Sequence, residues 1–342
     1  MRMNKVDMKN ILRIHVTAVL ALAACFAIFA CTRTDQPPSG PSEKVTIAYA
    51  LLPDSALDQI AASNKYYSQE GLEVIRQPHQ IGKQALQSVI DGKADFATVA
   101  ETPVIFSIMS GEKISVIAEI DASHRNMAVI ARKDMGITKL EDLKGRKIAA
   151  TFGTISEFFM DSILTVNGIS RREIAVENLP PDKLLPAIEE GEVDAISIWN
   201  PLLINIQKRL GDKGLTVHGE DLYTQFFVVV ARQDFIKANP QVVKKILRAL
   251  IHAEEFTERH PAEAQKIVAQ TTNTDAVFIS EIWSNNNFKL NLDQSLILAL
   301  EDESRWAIKN KLTTAERVPN YLDFIYFDGL KSVKPDTVRI LK

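Results

Sequence analysis

Cysteine is nearly absent. The 342 residues hold only Cys25 and Cys31, both close to the N-terminus. The main body therefore has neither a disulfide framework nor a cysteine-ligated metal. Neither charge sign dominates: 40 Lys and Arg face 43 Asp and Glu, a formal net charge of -3. That balance lacks the basic footprint of a nucleic-acid binder. No phosphate-binding P-loop, G-x-G-x-x-G, G-x-S-x-G or H-E-x-x-H occurs. Histidines 15, 79, 124, 218, 252 and 260 include no pair at metal-ligand spacing, so no metal and no cofactor is expected. Glu189-Glu190 and Glu301-Asp302-Glu303 lie on predicted helices and read as solvated faces. No residue is assigned a catalytic role, and the chain is not expected to be an enzyme. The longest uncharged apolar run, residues 16–30, falls short of the roughly 20 residues that span a bilayer.

What remains is an ordinary globular composition, 46% hydrophobic and 24% charged. It excludes a disordered chain, a collagen-like repeat and a multi-span membrane protein. The length suits two domains. At the N-terminus, Arg2, Lys5, Lys9 and Arg13 precede the apolar run VTAVLALAACFAIFA. A basic start followed by such a run reads as a secretory signal, with a short membrane anchor as the runner-up. Leu22-Ala23-Ala24-Cys25 and Ile28-Phe29-Ala30-Cys31 each resemble a bacterial lipobox, in which the cysteine is lipidated. Cys25 has the better consensus. Cys31 is preferred, because the polar stretch TRTDQPPSGPSEK follows it directly. A plain signal peptide with incidental cysteines is the third possibility. Residues 32–44 read as a flexible tether.

The body alternates strand and helix. Expected strands lie at 45–49, 73–77, 95–100 and 114–120, and expected helices at 55–70, 82–91 and 103–110. The expected fold class is α/β with mostly parallel strands. Two echoes recur about 100 residues apart. Gly92-Lys93-Ala94-Asp95-Phe96-Ala97 resembles Gly191-Glu192-Val193-Asp194-Ala195-Ile196. Ala128-Val129-Ile130-Ala131-Arg132 resembles Val228-Val229-Val230-Ala231-Arg232. Two copies are too few for a solenoid and suit two similar lobes. The V-x-A-R strands would mark where the chain crosses between them. Lobe 1 is expected at 45–127 plus 232–342, and lobe 2 at 128–231. Past residue 232 the pattern is helical, with helices at 240–259, 261–270, 275–283 and 292–310. This tail is expected to pack on lobe 1.

Ligands in open α/β sheets bind beyond the carboxyl ends of the strands. That rule selects Leu52 and Asp54, Glu101 and Thr102, Asp121 and Ser123, then Gly153, Thr154 and Ser156, then Trp199 and Asn200, and Thr224. His124 reads as a surface loop histidine. Gly153 and the hydroxyls of Thr154 and Ser156 open a helix, whose free N–H groups suit an anion. Ordinary capping by Thr154 is an equal reading of the same residues. Trp199 would provide apolar contact and stacking, or pack into a lobe core. Glu101 would favour an amine, or cap a helix.

With Gly92 to Ala97, Leu140-Glu141-Asp142-Leu143-Lys144-Gly145-Arg146-Lys147-Ile148-Ala149, Gly153-Thr154, Gly191 to Ala195 and Trp199-Asn200-Pro201 in view, residues 45–332 resemble an ABC-importer substrate-binding protein. The resemblance is to the nitrate/sulfonate/taurine and thiamine-precursor type. It implies a two-lobed periplasmic-binding-protein-like (type II) fold with two crossing strands and a helical C-terminal region. It further implies a small, anionic, sulfonate-like or nitrate-like ligand and a permease partner in the membrane; with the N-terminal reading, a monomer tethered outside the cytoplasmic membrane is expected. Trp199-Asn200-Pro201 departs from the family's frequent Trp-Glu-Pro, and the serine-rich anion signature of sulfonate binders is incomplete. The competing readings are a ligand-sensing subunit for another membrane partner, or an enzyme resembling those of thiamine-pyrimidine synthesis.

Overall fold

The computed structural model describes residues 42–219 and 222–341. The expected signal, both cysteines and most of the expected tether lie outside the described residues. Contacts divide the chain into Met1–Ser39 and Gly40–Lys342, and the described residues all belong to the second unit. No helix among them is long and apolar enough to cross a membrane.

Ten strands build two five-stranded sheets: β1 (Glu43–Ala50), β2 (Leu72–His79), β3 (Phe96–Ala100), β4 (Ile114–Ser123), β5 (Met127–Arg132), β6 (Lys147–Ala150), β7 (Ala175–Asn178), β8 (Ala195–Trp199), β9 (Gly214–His218) and β10 (Gln225–Arg232). The first sheet runs in the order β2-β1-β3-β10-β4 and the second β7-β6-β8-β5-β9. The two orders are the same pattern. In each, three parallel strands are followed by two antiparallel pairings. The central strands β3 and β8 are buried at every residue. Helices cover both of their faces, which explains continuous apolar runs rather than alternation.

The sequence echoes have one physical cause each. Asp95 Oδ2 accepts from Thr46 N, and Asp194 Oδ2 accepts from Lys147 N, both at 2.8 Å. Each carboxylate satisfies a main-chain donor in the neighbouring strand. The arginine of each V-x-A-R strand reaches the carboxyl end of a helix. Arg232 donates to Val89 O at 2.9 Å, at the end of the helix Gly82–Ile90, and Arg132 to Ile188 O at 2.6 Å, at the end of the helix Pro181–Glu190. These carbonyls have no intrahelical donor, and a cation there suits the helix dipole. The helices in question follow α1 (Ala56–Ser63) and α2 (Tyr66–Gln69) and are α3 (Gly82–Ile90), α4 (Glu101–Met109), α5 (Ile155–Val166) and α6 (Pro181–Glu190). Gly191 ends α6 at φ +76, the left-handed conformation a helix C-terminus favours glycine for.

The chain passes to the second sheet between Ser123 and Met127 and returns between His218 and Gln225. This corrects the expected lobe boundary at 231/232. β10 pairs with β3 and β4, so residues 225–231 belong with the first sheet. Each V-x-A-R strand follows a passage and does not span it. A buried apolar strand carries no local mark of the sheet it will enter.

The remaining helices are α7 (Leu202–Leu210), α8 (Gln233–Ala238), α9 (Pro240–Arg259), α10 (Pro261–Thr272), α11 (Ala276–Trp283), α12 (Gln294–Lys309) and α13 (Phe327–Val333). Val243, Ile246, Leu247 and Leu250 form the apolar stripe of α9 and join the core of the first sheet, as do residues of α10 to α13. The C-terminal helices thus pack on the first half. A two-residue strand pair, Leu292–Asp293 with Val338–Arg339, interrupts the expected all-helical tail.

α3 begins hard against β3. A Cβ on Gly82 would lie 2.8 Å from Val99 Cα and 3.2 Å from Thr98 O. Backbone cannot yield as a side chain can. Gly82→Ala is therefore expected to destabilise the chain by about 1–3 kcal/mol, read as a lower urea midpoint with an unchanged slope.

Candidate functional site: a cavity between the two sheets

The parallel strands β1, β3, β6 and β8 end at one place, and a cavity lies beyond those ends. Leu52 follows β1, Ala100 closes β3, Thr154 and Ile155 follow β6, and Trp199 closes β8. The first half adds Ile81, Gly82 and Lys83 from the start of α3, and Gln225 and Phe227 from β10. Most of the wall is apolar. Lys83 is the one charged lining residue among the described residues. The cavity measures about 30 Å³. That is room for a water or two, since one needs roughly 10–15 Å³.

Trp199 is 4% exposed, and its Nε1 has no hydrogen-bond partner among the described residues. An orphaned buried donor is costly, and the indole that carries it forms part of the cavity wall. Thr154 caps α5: its Oγ1 accepts from Ser156 N at 3.3 Å and donates to Thr151 O at 2.6 Å. Gly153 N donates to Glu157 Oε2 at 2.9 Å. The N–H groups of Thr154 and Ile155 lie where a helix offers no acceptor of its own. The capping reading of Thr154 is thus borne out by geometry, while the loop still faces the cavity.

Lys83 crosses from the first half to the second. Its Nζ donates to Phe152 O at 2.9 Å. Sequence reasoning missed this residue, because a lysine in the first turn of a helix carries no mark of what lies opposite. Partial burial lowers the Lys83 pKa from its ordinary value, and the Glu157 charge opposes that shift. Glu157 and Asp161, both nearly buried on α5, are held by Arg171 at 2.7 and 2.6 Å. Asp161 also accepts from Trp306 Nε1 of α12 at 2.8 Å, a second link between the halves.

Of the residues selected by the strand-end rule, Leu52, Thr154 and Trp199 line the cavity and Gly153 flanks it. The others are placed elsewhere. Asn200 lies in a separate groove with Gln207, Lys208 and Glu281, on the α7–α11 side. Trp199 ends β8 and lines the cavity, while Asn200 sits in the turn that follows, so the two do not share a site. Ser156 is buried, and its Oγ donates to Ser197 O at 2.7 Å, tying α5 to β8. Ser123 Oγ donates to Asn285 O at 2.8 Å. Thr224 Oγ1 lies 2.9 Å from His124 Nδ1, joining the two passages.

The acidic residues cluster at and behind the passages. Asp54 Oδ1 accepts from Asn126 Nδ2 at 2.7 Å and Gln225 Nε2 at 2.8 Å. It thereby ties the loop after β1 to both passages. Burial pushes the Asp54 carboxyl up to about 6, against its own backbone hydrogen bond and Gln225. Burial, with the Asp54 and Glu119 charges, pushes Asp121 well above the usual carboxylate range. Glu101 is fully buried, and neither of its oxygens has a hydrogen-bond partner among the described residues. Burial first, then the Glu303 charge, raises its pKa well above normal. Glu303 was expected on a solvated face and is instead fully buried in α12, accepting from Tyr223 OH at 2.9 Å. Burial raises it to about 8. Glu101 lies outside the cavity wall, and burial disfavours the charge with which it would meet an amine.

Two sheets of one topology, joined by two passages with a cavity at the strand ends between them, define the periplasmic binding protein fold. The alkanesulfonate-binding protein SsuA from Xanthomonas axonopodis pv. citri, solved bound to MOPS, superposes with a TM-score of 0.73 at 18% identity, covering 84% of this chain and all of that one. The chain belongs to the family described as NMT1/THI5 like, matched over residues 53–264. A candidate aliphatic sulfonates-binding protein of Bacillus subtilis (strain 168) is 27% identical over 221 residues, 64% of this chain and 66% of its own length. The taurine-binding periplasmic protein of Escherichia coli (strain K12) is 24% identical over 216 residues, 62% of this chain and 65% of its own. The chain thus spans about two thirds of the length of these relatives.

Proposed function

We propose that the chain is an extracytoplasmic solute-binding protein. Its two halves act as lobes that capture a small sulfonate-like or nitrate-like anion and hand it to an ABC permease. The role is binding and not turnover. The N-terminal reading holds a monomer at the outer face of the cytoplasmic membrane through a lipid on Cys31, or on Cys25. Leu52, Gly153, Thr154 and Trp199 form the contact set, with Asp54 supporting the passages.

The observation that carries this reading is Trp199, an indole with an orphaned donor, in the wall of a cavity shared by both halves. A solute that brings an acceptor to the indole would satisfy it. A ligand shifts the open–closed balance by its differential affinity for the two forms. The names of the relatives, sulfonate and taurine binders, support the anion class.

The test is native mass spectrometry of the protein as purified, followed by calorimetric titration with the solute found. Trp199→Phe is expected to weaken that binding about tenfold, the worth of one hydrogen bond at the strong end of the usual range. Its melting temperature should change little, because the lost packing is offset by removal of an unsatisfied donor. Wild-type protein that binds no sulfonate, nitrate or carboxylate would overturn the reading.

A further inference from the structure

We propose that Lys83 is an exchangeable clasp and a specificity-determining residue: it closes the cavity mouth on Phe152 O and trades that contact for the anionic group of the solute. Three observations on this chain carry it. Lys83 is the one charged lining residue among the described residues, at the exposed rim of an otherwise largely apolar wall. Its ammonium crosses from α3 in the first half to the loop after β6 in the second, with a single carbonyl as acceptor at 2.9 Å. The loop is shaped to receive it. Gly153 sits at φ +67, and a Cβ there would lie 2.6 Å from Lys83 Nζ.

A carbonyl is a weaker acceptor for an ammonium than an anion is. The Lys83–Phe152 contact can therefore hold the halves together yet yield to a sulfonate or carboxylate arriving at the same rim. Thr154, Ile155 and Trp199 line the same cavity as Lys83, and the first turn of a helix leaves its N–H groups without intrahelical acceptors. The apolar walls from Leu52, Ile81 and Phe227 accept the rest of the molecule. One cation against an apolar wall selects a monoanion with a hydrocarbon part over a neutral isostere or a bare inorganic dianion.

The ligand part of this inference rests on the solute-binding reading; the clasp itself does not. Two measurements on the full-length chain separate them. The first is small-angle X-ray scattering of wild type, Lys83→Met and Gly153→Ala without added solute. Loss of the clasp is expected to enlarge the radius of gyration of Lys83→Met, and Gly153→Ala should shift part-way by displacing the ammonium. The second is calorimetric titration with 1-propanesulfonate and with the neutral methyl propyl sulfone. Lys83→Met is expected to weaken propanesulfonate binding about 10- to 100-fold, as for one charge-assisted hydrogen bond. Binding of the sulfone should stay unchanged. Unchanged compactness of Lys83→Met overturns the clasp. A propanesulfonate affinity within twofold of wild type overturns the specificity role. Wild type that binds neither compound, while Lys83→Met still expands, overturns the solute class and leaves the clasp supported.

Discussion

Folding stability is expected to fall by several kcal/mol between pH 5 and pH 8. The cause is a set of carboxyls buried with few donors. Burial, with an offset from the Asn291 amide, pushes Glu119 to about 8. Glu303 stands at about 8 and Asp54 at about 6, each raised chiefly by burial. Burial also raises Glu101 and Asp121, each with an acidic neighbour adding to the shift. In the unfolded chain such groups titrate near 4. Between about pH 4 and 8 the native state therefore holds more protons than the unfolded one. Stability falls with pH wherever that is so. The stabilising contribution is complete below pH 4 and is lost as pH rises through 6 for Asp54 and 8 for the two glutamates. One carboxyl raised by two units contributes about 3 kcal/mol. Carboxylates with depressed values, such as Asp134 beside Arg132 and Glu173 beside Ser170 N, are exposed and titrate below this window. Urea midpoints at pH 5, 6.5 and 8 and constant ionic strength measure the slope. Glu303→Gln keeps an oxygen for Tyr223 and is expected to flatten the profile above pH 6.5. A stability that rises from pH 5 to 8 would sink the argument.

Replacing Arg171 with alanine is expected to cost about 3–5 kcal/mol, the usual penalty for stranding a buried charge. Arg171 follows Ser170, whose capping box fixes the short turn it sits on. From there its two guanidinium nitrogens bind Asp161 and Glu157 separately. Those carboxylates are 4% and 3% exposed at the side chain. Without Arg171, among the described residues Glu157 keeps only Gly153 N and Asp161 only Trp306 Nε1 as donors. Both of those bonds serve the cavity: one orders its loop and the other links the halves. The variant should therefore lose solute affinity as well as stability. The combination Arg171→Met, Glu157→Gln and Asp161→Asn removes every stranded charge and is expected to recover most of the stability. If Arg171→Ala unfolds at the wild-type urea midpoint, the triad contributes nothing.

The line between sequence and structure falls at the range of the interactions. Strands and helices were legible because periodicity, Gly stops and Pro-opened turns act within a few residues. α9 begins and ends where the apolar stripe and its flanking prolines predict. The two echoes also pointed to a doubled architecture, since each motif closes a strand or helix end in its own sheet. Trp199, Thr154 and Leu52 were reachable by rule, because strand ends converge in any open parallel sheet.

Tertiary structure decided the rest. Which sheet β10 joins depends on its partners β3 and β4 and on nothing within Val228–Arg232 itself. Glu303 shares an acidic run with exposed Asp302, yet packing turns it inward against Glu101 while its neighbour stays in water. Asn200 parts from Trp199 because the chain, not the motif, sets which way each side chain faces. Lys83 meets Phe152 across 69 positions of sequence, a contact that exists only once the two halves have come together. The local pattern determined the parts and their pairing into two similar halves. Long-range packing alone decided where charge ended up, because burial and opposition between distant side chains have no local signature.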